Sequence, residues 1–203
     1  MEKDIDATLR LIAGPLGFVA PYIARQLPQL TLTDSRDADF TVALCAPGEG
    51  AALSADNPGA LVLECPNVIG TGMTGLPRQL AAAIWRGTFF HIPGSDIPVA
   101  TVHAESVARA VAAALGTAGI FTVTDGCAHT LDELADALSY RLGNKRILTP
   151  RPILARWLPG GALRRAFAAA PVPDGSAFAQ RFDFKPVNVT EYLCTHVYDE
   201  ESL

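Results

Sequence analysis

The chain has 203 residues, 49% apolar and 18% charged, with a net charge of −5. That length suits one domain with a proper core, and the composition argues against disorder. Three lysines stand against thirteen arginines with no basic run, which argues against nucleic acid or an anionic membrane as partner.

"TLRLIAG" reads as a buried first strand closed by Gly14, and a helix follows from about Phe18 to Leu27, stopped by Pro28. "LTLT" is a weak strand and "DFTVALCAP" a strong one. "GEGAALSADNPGA" is turn-rich and only loosely helical, and "LVLECP" is another apolar strand leading into the loop "NVIGTGMTG". A helix pattern returns from Leu76 to Arg86. "TFFHIPGSDIPVATVH" reads as a short hairpin or two extended pieces around a Gly-Ser-Asp turn. "AESVARAVAAAL" is a helix and "GIFTVTDG" a strand. In "HTLDELADALSYRLG", Thr130 is the N-cap, Glu133 completes a capping box, and Gly143 lies just past the end. Beyond Arg151 the chain is helical and proline-punctuated, ending in the acidic "DEESL". Alternating strands and helices predict an α/β fold on a parallel sheet.

The start, "MEKDIDATLR", lacks the basic-then-apolar order of a signal peptide, and no apolar stretch is long enough to span a bilayer, so a cytoplasmic protein is expected. Cys45, Cys65, Cys127 and Cys194 lie far apart with no C-x-x-C pair, as reduced core thiols do. Cys127 and His129 stand two apart in a loop, but two ligands do not make a zinc site, and no metal is expected.

The chemistry-bearing stretch is "RLIAGPLGFVAPYIARQL". Glycines between a strand and a helix aim free amides at an anion and let a phosphate approach without meeting a Cβ. Gly14 and Gly17 can do this, with the amides of Phe18 and Val19 as donors. Ala20 replaces the last glycine of such a turn. Pro21 donates nothing and biases Ala20 away from helical angles, although a first helical turn tolerates proline. Asp34, 20 residues after Gly14, is the candidate ribose ligand, or equally a turn residue.

Several segments in order resemble the extended short-chain dehydrogenase/reductase family, the NAD-dependent epimerase/dehydratase group. "LIAGPLGFVAPYIARQL" is similar to its T-G-x-x-G-F-I-G opening, and "ADFTVALCAP" to its fourth strand. "LVLECPNVIGTGM" is similar to R-P-x-N-V-Y-G-P-G, and "FFHIPGSDIPVATVHAESVARAVAAAL" to the extension leading into the H-V-D-D-V-A-R-A helix. "GIFTVTDGCAHTLDELADALSYRLG" and "FDFKPVNVTEYL" are similar to its later motifs.

The resemblance implies a reduced Rossmann-like parallel sheet with helices on both faces and a small, mostly helical, C-terminal substrate-side extension. Residues 1–203 would form one unit, 1–75 and about 118–145 supplying the core sheet, about 76–117 and 146–203 the extension. It further implies NAD or NADP as cofactor and a nucleotide or nucleotide sugar as ligand. Gly14, Leu16, Gly17, Phe18 and Val19 would line the pyrophosphate turn, and Asp34 would face the ribose. Cys45 and Ala46 would flank adenosine, and Pro66 and Asn67 match the loop that holds nicotinamide and substrate phosphate. His103 and Glu105 match the H-V-D-D corner, read as a helix cap. Arg78, Arg86 and Arg109 are candidate phosphate partners, or simply a solvated face.

Between Ala46 and Leu61 the family carries a catalytic Ser or Thr and a Tyr-x-x-x-Lys helix. Here fourteen residues bridge the gap, no Tyr-x-x-x-Lys occurs, and Glu64-Cys65 and Ile69 replace customary residues. A bridge of that length still closes a parallel crossover. Three readings follow. The first is a catalytically defective epimerase relative with a residual nucleotide or nucleotide-sugar site. The second is a working NAD(P)-dependent enzyme using His91, His103 or Tyr140. The third is an interaction module, in which a protein partner or self-association covers the surface that the deletion leaves.

Overall fold

The computed structural model describes residues 7–149 and 161–195. The opening "MEKDID", the stretch from Pro150 to Gly160, and His196 through the acidic "DEESL" lie outside the described residues.

Alternation along two strands sets the layers. In β3 (Phe40–Cys45), Val42 and Leu44 enter the main core, while Ala43 and Cys45 join a small cluster on the opposite face. β4 (Leu61–Glu64) repeats this, with Leu61 and Leu63 on the first face and Val62 on the second. That is the period-two signature of a strand covered on both sides. β1 (Ala7–Ile12), β2 (Leu30–Thr33) and β8 (Gly119–Thr122) complete a five-stranded sheet in the order β2-β1-β3-β4-β8, every pair parallel.

α1 (Ala20–Gln26) and α4 (Ala104–Ala114) cover the main-core face, giving it Ile23, Val107 and Val111. The other face is covered by α2 (Gly50–Asp56), whose Leu53 packs on the small cluster. The fold is therefore the expected Rossmann-like α/β sheet with helices on both faces. α3 (Gly75–Trp85), α5 (Leu131–Arg141), α6 (Gly161–Ala169) and α8 (Val189–Thr195) share a second core with Leu80, Leu134, Phe167 and Leu193 at its centre. α7 (Ser176–Arg181) sends Phe178 against Phe121 of β8, ring centroids 5.8 Å apart. No helix among the described residues is long and apolar enough to cross a membrane.

Of the two readings of residues 88–103, the structure takes the extended pieces around a turn and not the hairpin: Gly94 makes the turn, with Ser95 N–H donating to Ile92 O at 3.0 Å. The extended pieces find partners elsewhere. β6 (Pro98–Val99) pairs antiparallel with β9 (His129–Thr130), and β7 (Val102–His103) pairs parallel with β5 (Val68–Ile69).

Candidate functional site

β1 lies between β2 and β3, so the chain leaves it first to one side and later to the other. Such a switch point opens a crevice beyond the carboxyl ends of the strands. Here a cavity of about 690 Å³ opens there, between Ile12–Leu16 after β1, Leu44–Pro47 after β3 and Cys65–Val68 after β4. Thr74–Pro77 at the start of α3 close one side, and Thr74 Oγ1 donates to Pro15 O at 2.9 Å. A smaller cavity of about 350 Å³ sits around the glycine turn, lined by Gly14, Gly17, Leu32, Thr33 and Asp34.

The structure thus brings Gly14, Leu16, Cys45, Ala46, Pro66 and Asn67 onto one cavity, and Gly14, Gly17 and Asp34 onto the other. Phe18 and Val19 line neither. Val19 is fully buried in the main core, and Phe18 packs against that core and beside Gly72.

The turn winds differently from an open phosphate loop. Gly14–Val19 form a 3-10 helix with Pro15 at its start, and α1 begins only at Ala20. Ala20 is helical (φ −52°, ψ −44°) against the steric bias that Pro21 puts on it, while Pro21 itself sits in the first turn, where no donor is required. The winding consumes amides: Leu16 N–H donates to Ala13 O at 2.7 Å, and Ala20 N–H to Gly17 O. Gly14 has φ +44°, a conformation costly for other residues, whereas a Cβ at Gly14 or Gly17 would meet nothing within 4 Å. Space for a ligand over the turn is therefore present. Among the described residues, neither cavity has an arginine or lysine in its lining to meet a phosphate.

Catalytic groups are scarce in the larger cavity. Its titratable lining residues are Cys45, Cys65 and Glu49. Burial, then the Glu64 and Glu49 carboxylates, push the Cys45 thiol up to about 11, and burial drives Cys65 far above the thiol range. Glu49 Oε2 accepts from Ala46 N–H at 3.2 Å. Asn67, at φ +36°, spends its side-chain amide on Ala100 O at 2.9 Å.

The alternative catalysts lie elsewhere. His91 faces Asp132 and Asp136 of α5 at 3.3 and 2.8 Å. His103 caps α4, its Nδ1 accepting from Glu105 N–H at 3.3 Å, and its ring lies 4.0 Å from that of Tyr192. Tyr140 lines a separate cavity beside α5. Arg109 donates to Lys185 O at 3.0 Å, and Arg78 and Arg86 line a groove with Trp85, so none of the three reaches the crevice.

Two features had no counterpart among the sequence-derived site residues. Glu64 Oε1 accepts from both Gly48 and Gly50 N–H, each at 3.0 Å, and so holds the start of α2 over the sheet. Asp125, in the "VTDG" segment, stands beside Cys127 and His129. The alternate spacing D-x-C-x-H was the available signal.

No family model matches the chain, and no curated protein does. Solved structures do. The UDP-N-acetylglucosamine 4-epimerase of Bacillus cereus superposes with TM-score 0.60 at 12% identity, over 93% of this chain and 97% of that one. The Bordetella bronchiseptica enzyme WbmG, solved with NAD, gives TM-score 0.61 at 12% identity, over 95% and 94%. The UDP-glucose 4-epimerase of Thermotoga maritima, solved with UDP-glucose, gives 0.55 at 14%, over 92% and 96%. At such identities the likeness is one of fold: this chain has the Rossmann-like architecture found in UDP-sugar epimerases.

Proposed function

We propose that this chain is a non-catalytic, internally shortened relative of the NAD-dependent epimerases, whose switch-point crevice retains a nucleotide, NAD foremost. One observation carries the reading: a crevice of about 690 Å³ opens at the switch point, but its described lining residues include no tyrosine, lysine or histidine to move a proton. Similar structures that hold NAD or UDP-glucose support the ligand class. Asp34 beside the glycine turn favours a free ribose diol, and its charge disfavours a 2′-phosphate, so NAD is preferred over NADP. The turn offers few free amides to a pyrophosphate, since Leu16 and Ala20 N–H are spent on Ala13 and Gly17 carbonyls. Four free cysteines, two of them exposed, suit a reducing, cytoplasmic setting.

The test is thermal unfolding with NAD, NADP, ADP-ribose and UDP-sugars. NAD and ADP-ribose at a hundredfold excess over Kd are expected to add about 2.7 kcal/mol of stability, and Asp34→Ala to abolish the shift. No hydride transfer or epimerisation is expected with any UDP-sugar. Absence of stabilisation by every nucleotide would sink the reading.

A second reading has its own support. β1, an interior strand next to the edge, has one buried residue of six, and Ile120 on edge strand β8 is 44% exposed. The thin cover that α2 gives this face favours a second copy of the chain lying on it, which light scattering would detect as a dimer.

A further inference from the structure

Away from the crevice, the loop "DGCAH" carries three different metal-binding atoms on alternate residues. We propose that Asp125, Cys127 and His129 form a site for a thiophilic divalent cation, Zn²⁺ by its ligand chemistry, with one coordination position open to a neighbouring cavity. A carboxylate oxygen of Asp125, Cys127 Sγ and a ring nitrogen of His129 all lie within 4.8 Å of one another. Tetrahedral zinc, with bonds of roughly 2.0–2.3 Å, needs donor separations of roughly 3.3–3.6 Å, within reach of small side-chain rotations.

The backbone of the loop is already fixed. Asp125 N–H donates to Thr101 O at 2.8 Å, Cys127 N–H donates to Asp125 Oδ1 at 3.1 Å, and His129 pairs with Val99 across β6 and β9. The carboxylate is held in place: Thr101 Oγ1 at 2.8 Å and Val189 N–H at 3.4 Å both donate to Oδ2, the oxygen that also meets His129, while Oδ1 takes the Cys127 amide. His129 Nε2 and Asp125 Oδ2, 2.6 Å apart, share a proton where the cation would sit. Binding releases the thiol proton, requires the His129 ring proton on Nδ1 so that Nε2 can ligate, and widens the His129–Asp125 contact by roughly 0.7 Å to a tetrahedral edge. The Asp125 side chain is wholly buried and that of His129 is 6% exposed, so the charges are poorly hydrated and gain from a cation.

Sulfur in the set selects zinc or cobalt over magnesium and calcium. The open position follows from exposure. Cys127 is exposed, and with His129 it lines a cavity of about 730 Å³, where Glu133, Asn188 and Cys194 also lie. Asn188 Nδ2 donates to Cys127 Sγ at 3.3 Å, a bond that favours the thiolate needed for ligation.

The competing account is a polar latch in which Asp125 merely joins Thr101, His129 and α8. Titration of the reduced full chain with Co²⁺ separates the two. The expected result is one equivalent bound, with tetrahedral visible bands and a thiolate-to-cobalt charge-transfer band, both displaced by Zn²⁺. Cys127→Ser, which leaves the latch intact, is expected to remove the charge-transfer band, and His129→Gln to weaken binding at least tenfold. Cys194→Ser is expected to change neither. Octahedral cobalt only, or a charge-transfer band that survives Cys127→Ser, would overturn the site in favour of the latch.

Discussion

Glu64 occupies a position where the resembled family carries arginine, and its carboxylate gathers the amides of Gly48 and Gly50. Gly50 is glycine for room: a Cβ there would lie 2.8 Å from Glu64 Oε1 and 2.8 Å from Ile120 Cγ2. Gly50→Ala is expected to destabilise by about 1–3 kcal/mol in urea unfolding, and Glu64→Ala by about 1 kcal/mol through the lost cap. The double variant should lose less than the sum, because Glu64→Ala removes one of the two clashing atoms. The buried thiols give a second expectation. With Cys45 pushed up to about 11 and Cys65 higher, iodoacetamide at pH 8 should label exposed Cys194 and spare both until the chain unfolds. Mass spectrometry of the labelled peptides checks it. None of Glu64's partners could be foreseen from its neighbours in sequence, since the bonds span a whole strand crossover.

Elements were readable in proportion to how local their causes are. α5 carries its own start and stop. Thr130 N–H donates to Glu133 Oε2 at 2.8 Å, Glu133 N–H donates back to Thr130 Oγ1 at 3.2 Å, and Gly143 takes φ +83° past the end. Thr130→Ala is expected to cost about 1 kcal/mol. The Thr130 amide, then its hydroxyl, hold the Glu133 carboxyl below the usual carboxylate range. A lowered value stabilises the fold above the unfolded-state value of about 4.3 and ceases to do so as pH falls through the folded one. Glu133→Gln should therefore be less stable than the parent at pH 7 and match it in acid, as melts across pH would show. The short strands β5, β6, β7 and β9 had no such local cause. Each is two residues long and exists only through a distant partner. The glycine turn falls between: its glycines and prolines were visible, but its 3-10 winding is set by how Val19 and Ile23 seat in the core. Cys127 and His129 were visible as spacing, yet only the fold brings their donors and that of Asp125 within 4.8 Å of one another.

At the scale of the molecule the two faces of the sheet are unequal. Among the described residues, the main-core face is thick with α1, α4 and Phe178, while the other has a four-residue cluster under one short helix. If a second copy completes that face, Ile120→Lys should dissociate the dimer without unfolding the monomer, because Ile120 is already 44% exposed. Light scattering before and after the substitution reads this directly, and a parent that runs as a monomer would dismiss the second copy.

The seven-residue α2 also bears on how the chain assembles in time. Val42 faces Leu61 across β3 and β4, whereas Leu61 faces Gly119 across β4 and β8, at roughly three times the separation along the chain. Loop-closure entropy grows with that separation, and parallel pairing is slow because long loops must close before contacts reward them. The short crossover makes β3 and β4 the quickest parallel pair to zip, and β8 the last strand to arrive. A brief crossover thus bears on the order of folding as well as on the cover of the sheet.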